Sequence, residues 1–290
     1  MVRLFKDLEY GTYSVKPLTV GGVFGFFLKV MLVEIFATFL LMPFGTVMPE
    51  DSLIFMIASE FISKGLVLWM LVRFYKEEEN PLVLSELMED AFFREEPVVV
   101  PKPVIVPRKI FVRAIILMII GFRFIYDNTI SYALVENIEM SEELVEAFDT
   151  LFSWPIYAIF SVVIIAPFYE ELLFRKFLLG GLLKQTKPMT AIMVSSLFFA
   201  LIHFNWLQGI NAFVLGMIVG WIYYKTESIA LCMFAHFVNN FYAMSLGIVQ
   251  EMFLSEPIWV VNGVLCAIGI LLMIKSSKVF ERLLLEYSVS

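Results

Sequence analysis

Long apolar stretches alternate along the chain with short, charge-rich ones. A helix that crosses a bilayer needs about 20 predominantly apolar residues. Eight stretches approach or exceed this length, at approximately 18–44, 52–75, 110–135, 152–183, 188–204, 206–224, 228–249 and 257–275. The pattern predicts an all-α, polytopic membrane helix bundle of about eight transmembrane helices. The fifth segment is the shortest, and a short or re-entrant segment is the alternative for it.

Basic residues alternate from one side of these segments to the other. Lys and Arg occur before the first segment, in the second, fourth and sixth loops, and at the C-terminus, whereas the other loops have none. Because cytoplasmic loops are enriched in Lys and Arg, both termini are predicted to be cytoplasmic. The sequence therefore predicts an integral, multi-pass membrane protein, which in a prokaryote would lie in the cell membrane.

The second loop is the longest and divides the chain. It contains a stretch, 82–93, whose apolar residues can share the face of a short surface helix, and a proline-rich strip, 97–107, typical of an extended linker. We expect residues 1–109 to form two spans and this cytoplasmic linker. Residues 110–290 are expected to form a six-span region that contains the catalytic core, at about 152–250.

The composition argues against a soluble domain, a nucleic-acid-binding protein and a disulfide-linked framework. The chain has 60% hydrophobic and 17% charged residues, whereas soluble domains have about 25% charged residues. Its net charge is −7 and it has no basic stripe, so no nucleic acid partner is expected. Cys232 and Cys266 both lie in apolar stretches, which gives no indication of a disulfide framework.

Charged residues within the apolar segments need a partner, because an unpaired charge in the bilayer costs several kcal/mol. Glu60 and Lys64 are four residues apart, as are Arg123 and Asp127. Residues at this spacing share a helix face, so each pair is predicted to be a structural ion pair.

The candidates for chemistry lie together in the C-terminal half. They are Glu170, Glu171 and Arg175 in the fourth segment, His203 at the end of the fifth, and His236 and Asn240 in the seventh. Glu171 can pair with Arg175 on one helix face, while Glu170 points about 100° away. His203 and His236 are the only histidines of the chain. Their occurrence beside these polar residues favours a functional site over separate structural roles.

Such a set of side chains can hydrolyse an amide with activated water. A buried glutamate with a histidine neighbour can position and deprotonate water. A second histidine and an amide NH2 can donate hydrogen bonds to the carbonyl oxygen as it gains negative charge. No Ser or Cys has a base at a motif spacing, so a covalent nucleophile is not indicated. Neither a cofactor nor a metal is required by this chemistry.

Three segments, EELLFR at 170–175, FALIH at 199–203 and HFVNN at 236–240, resemble motifs of the CPBP (ABI) family. This family comprises CAAX prenyl endopeptidases and bacteriocin-processing enzymes, and the resemblance covers roughly residues 155–250. It implies a glutamic intramembrane protease that cuts a protein or peptide near its C-terminus. In the CAAX branch the substrate is prenylated, so a protein or peptide substrate and the bilayer are the expected partners.

The resemblance also implies a role for each motif residue. Glu170 would be the water-activating base with His203 as its partner, His236 and Asn240 would form the oxyanion site, and Glu171 and Arg175 would be an orienting ion pair. Which of the two glutamates is the base stays open from the sequence. Glu170 and His203 reach a common depth only if the fourth helix continues past Arg175, or if it breaks at Gly180–Gly181.

Three other interpretations compete with this one. A zinc hydrolase could use Glu170, His203 and His236 as ligands, although Asn240 suits an oxyanion site better and no HExxH motif is present. A non-proteolytic membrane scaffold or bacteriocin-immunity protein could keep the same fold. A transporter could also carry charges within the membrane, but the chain shows no repeat of halves.

Overall fold

The computed structural model describes residues 14–45, 47–49, 52–77, 108–253 and 259–288, and within them the secondary structure is helical apart from one bridge between Val15 and Lys76. The predicted surface helix and proline-rich strip lie outside the described residues. The helices are α1 (Val20–Gly45), α2 (Leu53–Phe74), α3 (Arg108–Tyr126), α4 (Glu142–Phe152), α5 (Pro155–Leu183), α6 (Pro188–Leu201), α7 (Trp206–Thr226), α8 (Ile229–Phe253) and α9 (Trp259–Ser288).

Each of the eight predicted segments corresponds to a helix, which confirms the all-α polytopic bundle. In the part of the chain that is described, six helices are long and apolar enough to cross a membrane: α1, α2, α3 with its extension, α5, α7 and α9. Helix α6, the shortest predicted segment, has only 14 residues. The count of eight spans and the cytoplasmic location of the termini stay predictions.

The predicted ion pairs within the membrane segments are confirmed. Lys64 pairs with Glu60, and the Arg123 Nη2 atom lies 2.6 Å from Asp127 Oδ1. Asp127 begins a short π-helix, Asp127–Ser131, that extends α3. Arg123 also donates to the Asn211 side chain at 3.2 Å, so this pair joins α3 to α7.

Helix α5 is continuous, which confirms that it extends past Arg175, but its hydrogen bonding is not α-helical throughout. Ser161–Ile165 and Leu172–Leu179 are π-helical. In the first stretch the Ala166 N–H reaches back to the Ser161 carbonyl, five residues earlier. The Val162 carbonyl would need the N–H of Pro167 at the same spacing, and proline has none. The carbonyl of Val162 is therefore left open for a side chain.

The segment that precedes α1 ties the ends of α2 and α5 together. The Lys16 N–H donates to the Tyr75 carbonyl and the Leu18 N–H donates to the Gly181 carbonyl, each at 2.9 Å. These bonds place three segments that were predicted to be cytoplasmic on the same side of the bundle, as the alternation of basic residues requires.

An ion pair just outside the helices reinforces this end of the bundle. Lys184 donates to the Glu77 carboxylate at 2.6 Å, and the Ser14 hydroxyl donates to the same oxygen. The hydrogen bond from Lys184, followed by the one from Ser14, lowers the pKa of Glu77 below its usual value. Glu77 therefore stays ionised here, and it links the end of α5 to the segments that flank α1 and α2.

Helices α3 and α9 pack along their lengths at a pair of glycines. A Cβ atom on Gly121 would lie 2.8 Å from the Gly269 carbonyl oxygen, and one on Gly269 would lie 2.7 Å from the Gly121 carbonyl oxygen. Neither backbone can yield easily, so only glycine permits this approach. Gly216 and Gly220 similarly bring α7 against Ser196 and Ile192 of α6.

We expect Gly269→Ala to destabilise the bundle by roughly 1–3 kcal/mol, because the added methyl group overpacks the α3–α9 contact. Gly263→Ala is the matched control, since a Cβ at this position on the same helix meets nothing within 4 Å. Thermal unfolding in one detergent would compare the two variants. An equal fall in Tm for both would contradict a special role for Gly269.

Candidate active site

Glu171 lies at the centre of a buried chain of charged groups. Its Oε1 atom accepts a hydrogen bond from His236 Nδ1 at 2.8 Å, and its Oε2 atom lies 3.1 Å from Arg175 Nε. The side chains of Glu171 and Arg175 are 0% and 1% exposed. The ion pair formed within α5 thus reaches an imidazole on α8, and it fixes the position of that ring.

Phe199 on α6 is the shared neighbour of the basic side chains. The Arg175 Cζ atom lies 4.7 Å from the centre of the Phe199 ring, so the aromatic face supports a cation whose Nη atoms have no hydrogen-bond partner among the described residues. The His203 and His236 rings meet the same ring nearly perpendicularly, at 5.3 and 5.7 Å between centroids. The motif contains Phe199, but no pattern in the sequence indicated this role.

Both histidines are anchored through Nδ1. His203 Nδ1 lies 2.9 Å from the Phe199 carbonyl, and a carbonyl can only accept, so this nitrogen carries the hydrogen. His236 Nδ1 donates in the same way to the Glu171 carboxylate. Each imidazole therefore keeps its Nε2 atom for another group.

A tight turn between α6 and α7 holds His203. Phe204 adopts a left-handed conformation with φ 52°, which reverses the chain after the histidine. The Asn205 side chain donates to the His203 carbonyl at 2.8 Å and accepts from the Gln208 N–H, also at 2.8 Å. Asn205 is thus the N-cap of α7 and fixes the backbone at His203.

Asn240 supplies the hydrogen-bond donor that Pro167 cannot provide within α5. Its Nδ2 atom donates to the Val162 carbonyl at 2.8 Å, and its Oδ1 atom accepts from the Asn239 side chain at 3.0 Å. One of its two amide hydrogens is therefore committed to α5. The second amide hydrogen is left for another acceptor.

The two adjacent glutamates have different environments. Glu171 is fully buried and holds both Arg175 and His236, whereas the Glu170 side chain is 17% exposed. The Glu170 Oε2 atom lies 3.8 Å from His236 Nε2. Within the described residues no hydrogen bond or ion pair joins Glu170 to His203. The structure thus brings His236, rather than His203, next to Glu170.

The geometry does not favour a zinc site. In the described part of the chain, no three His, Cys, Asp or Glu side chains are grouped so that they could hold a metal ion. The alternative set of ligands, Glu170, His203 and His236, is accordingly not assembled.

Residues 152–242 match the family of Rce1-like, type II CAAX prenyl endopeptidases. The predicted family resemblance is confirmed. This Rce1-like region, residues 152–242, contains every side chain of the predicted site. The match to this family and the six apolar helices together identify the chain as an integral, multi-pass membrane protein.

A protein of Bacillus subtilis (strain 168) named "Putative membrane peptidase YdiL" is 28% identical over 100 residues. The alignment covers 34% of this chain and 41% of that protein, so the match spans less than half of either. No solved structure matches the chain significantly.

We expect Glu171→Gln and Arg175→Met each to destabilise the protein by roughly 3–5 kcal/mol, because each leaves the other charge buried without a partner. The double variant should lose much less than the sum of the two, since it removes both charges. Unfolding of the four proteins in one detergent measures this coupling. Strict additivity would show that the pair contributes nothing as a pair.

Proposed function

We propose that this protein is an intramembrane endopeptidase that hydrolyses a peptide bond near the C-terminus of a protein or peptide substrate. The Rce1-like region supports the activity, and its peptidase relative agrees with it. The observation that carries the proposal is the placement of Glu170, which is partly exposed, beside an imidazole that Glu171 and Arg175 hold in place.

Glu170 is the base in this proposal. A single water molecule can lie within hydrogen-bond distance of both Glu170 Oε2 and His236 Nε2, which are 3.8 Å apart. Glu170 takes one proton of this water while its oxygen attacks the carbonyl carbon of the substrate. The C–N bond of the tetrahedral intermediate then breaks, and the proton passes from Glu170 to the leaving nitrogen.

The remaining polar groups act on the substrate. The second amide hydrogen of Asn240 can stabilise the negative charge that develops on the carbonyl oxygen. The family resemblance implies His203 as the partner of Glu170 and His236 in the oxyanion site. We propose instead that His236 orients the water, because it lies next to Glu170. His203, which contacts the same Phe199 ring, is then the group that we assign to the leaving nitrogen.

A prenylated CAAX protein is the first substrate to examine, because the matching family is named for that activity. A lipidated C-terminus would partition into the bilayer and so reach a site enclosed by membrane helices. An unlipidated peptide of the same sequence is the comparison that tests whether the lipid matters.

The test is cleavage of a farnesylated Cys-a-a-X peptide by the purified, full-length protein. We expect Glu170→Gln and His236→Ala each to reduce kcat by roughly 10²–10⁴-fold, the usual contribution of acid–base catalysis. Glu281→Gln, an exposed position on α9, is the matched control and should keep full activity.

Three other results would change or contradict the proposal. Activity that is lost with a chelator and restored by zinc would bring back the metal-dependent mechanism. Undiminished cleavage by Glu170→Gln would show that Glu170 is not the base, and a folded wild-type protein that cleaves no peptide would contradict the proposed activity.

A further inference from the structure

A second polar site lies across α5 from the catalytic cluster. It is a cavity of about 530 Å³ lined by residues of α1, α2, α4 and α5, and its charged and phenolic wall comprises Glu34, Glu60, Lys64, Tyr157 and Tyr169. Tyr169 directly precedes Glu170, so α5 presents one residue to the cavity and the next to the candidate active site. None of these cavity residues belongs to the family motifs.

Glu60 is fully satisfied within the wall of the cavity. Its carboxylate pairs with Lys64 and accepts hydrogen bonds from the Tyr157 hydroxyl at 2.6 Å and from the Ser161 hydroxyl at 2.7 Å. Among the described residues that line the cavity, Lys64 is the only one with a cationic side chain. The charge of Lys64 is therefore largely neutralised by Glu60.

Glu34 brings a negative charge that this pair does not neutralise. Its Oε1 atom accepts from the Tyr169 hydroxyl at 3.1 Å, and Lys64 acts on it only through space. Two carboxylates and one ammonium group give the wall a formal charge of −1. A carboxylate that lies between membrane helices is costly unless a cation or hydrogen-bond donors compensate it.

Four hydroxyl groups of the wall donate their hydrogens to acceptors within the protein. Thr38 donates to the Glu34 carbonyl and Ser59 to the Met56 carbonyl, each at 3.0 Å. The Tyr157 and Tyr169 hydroxyls donate to the two glutamates. These four oxygens can therefore offer only lone pairs to a ligand, which adds hydrogen-bond acceptors to a wall of negative charge.

We propose that this cavity binds an organic cation with N–H donors, namely an ammonium or guanidinium group that pairs with Glu34. Because Tyr169 adjoins Glu170, the source that we favour is a Lys or Arg side chain of the peptide substrate. That source rests on the proposed endopeptidase activity, whereas the cation site itself does not. A free amine would satisfy the same wall.

The first experiment tests the site without catalysis. n-Butylammonium should raise the Tm of the full-length protein in detergent, and 1-butanol, which has the same chain without the charge, should not. Glu34→Gln should abolish the shift, since its amide oxygen can still accept from Tyr169 but its charge is gone. Glu146→Gln, an exposed position on α4, is the matched control and should keep the shift. A shift of equal size in all three proteins, or none in the wild type, would overturn the proposal.

The second experiment identifies the source of the cation. Two substrate peptides would differ only by Lys or norleucine beside the scissile bond. The wild type should cleave the Lys peptide with a kcat/KM roughly tenfold to a hundredfold higher, the value of a charge-assisted hydrogen bond, and Glu34→Gln should remove the preference. If the wild type cleaves both peptides equally and n-butylammonium raises its Tm, the natural ligand of the site is a free amine. If both peptides are cleaved equally and n-butylammonium does not raise the Tm, the cation site is refuted and the endopeptidase proposal stands. If neither peptide is cleaved, the result counts against the endopeptidase proposal alone.

Discussion

A fully buried carboxylate within a membrane bundle must be compensated on both oxygens, and Glu171 is the group on which this constraint falls. Arg175 compensates one oxygen from the same helix, and His236 compensates the other from α8. The Arg175 cation in turn needs the face of Phe199, which comes from α6. One buried charge thus fixes the mutual positions of three helices and of the imidazole beside Glu170.

The backbone of α5 imposes the second constraint. Pro167 leaves the Val162 carbonyl without a helical partner, and Asn240 supplies the missing donor from α8. Asn240 and His236, one helical turn apart on α8, therefore attach this helix to two positions of α5, Val162 and Glu171. From the other side, Glu34 and Glu60 accept hydrogen bonds from tyrosines of α5. The helices without family motifs thus position the one that carries both candidate glutamates.

The sequence was informative where a single helix decides the geometry. The four-residue spacing predicted the pairs Glu60–Lys64 and Glu171–Arg175, and the depth argument predicted that α5 continues past Arg175. The sequence could not show which of the two histidines lies next to Glu170, because helical periodicity does not specify how α6 and α8 are rotated relative to α5. The hydrogen bond between Asn240 and the Val162 carbonyl was not predicted either, because it follows from π-helical hydrogen bonding, which a residue pattern does not reveal.

The hydrogen bond through which Glu171 orients His236 Nδ1 can be tested directly, because the chain contains only two histidines. Nuclear magnetic resonance of protein labelled with ¹⁵N-histidine would report which ring nitrogen carries the hydrogen. We predict a hydrogen on Nδ1 of both rings. We also predict that Glu171→Gln shifts the His236 signals and leaves those of His203 in place. A His236 ring that carries its hydrogen on Nε2 alone would contradict this arrangement, since Nδ1 could then not donate to the Glu171 carboxylate.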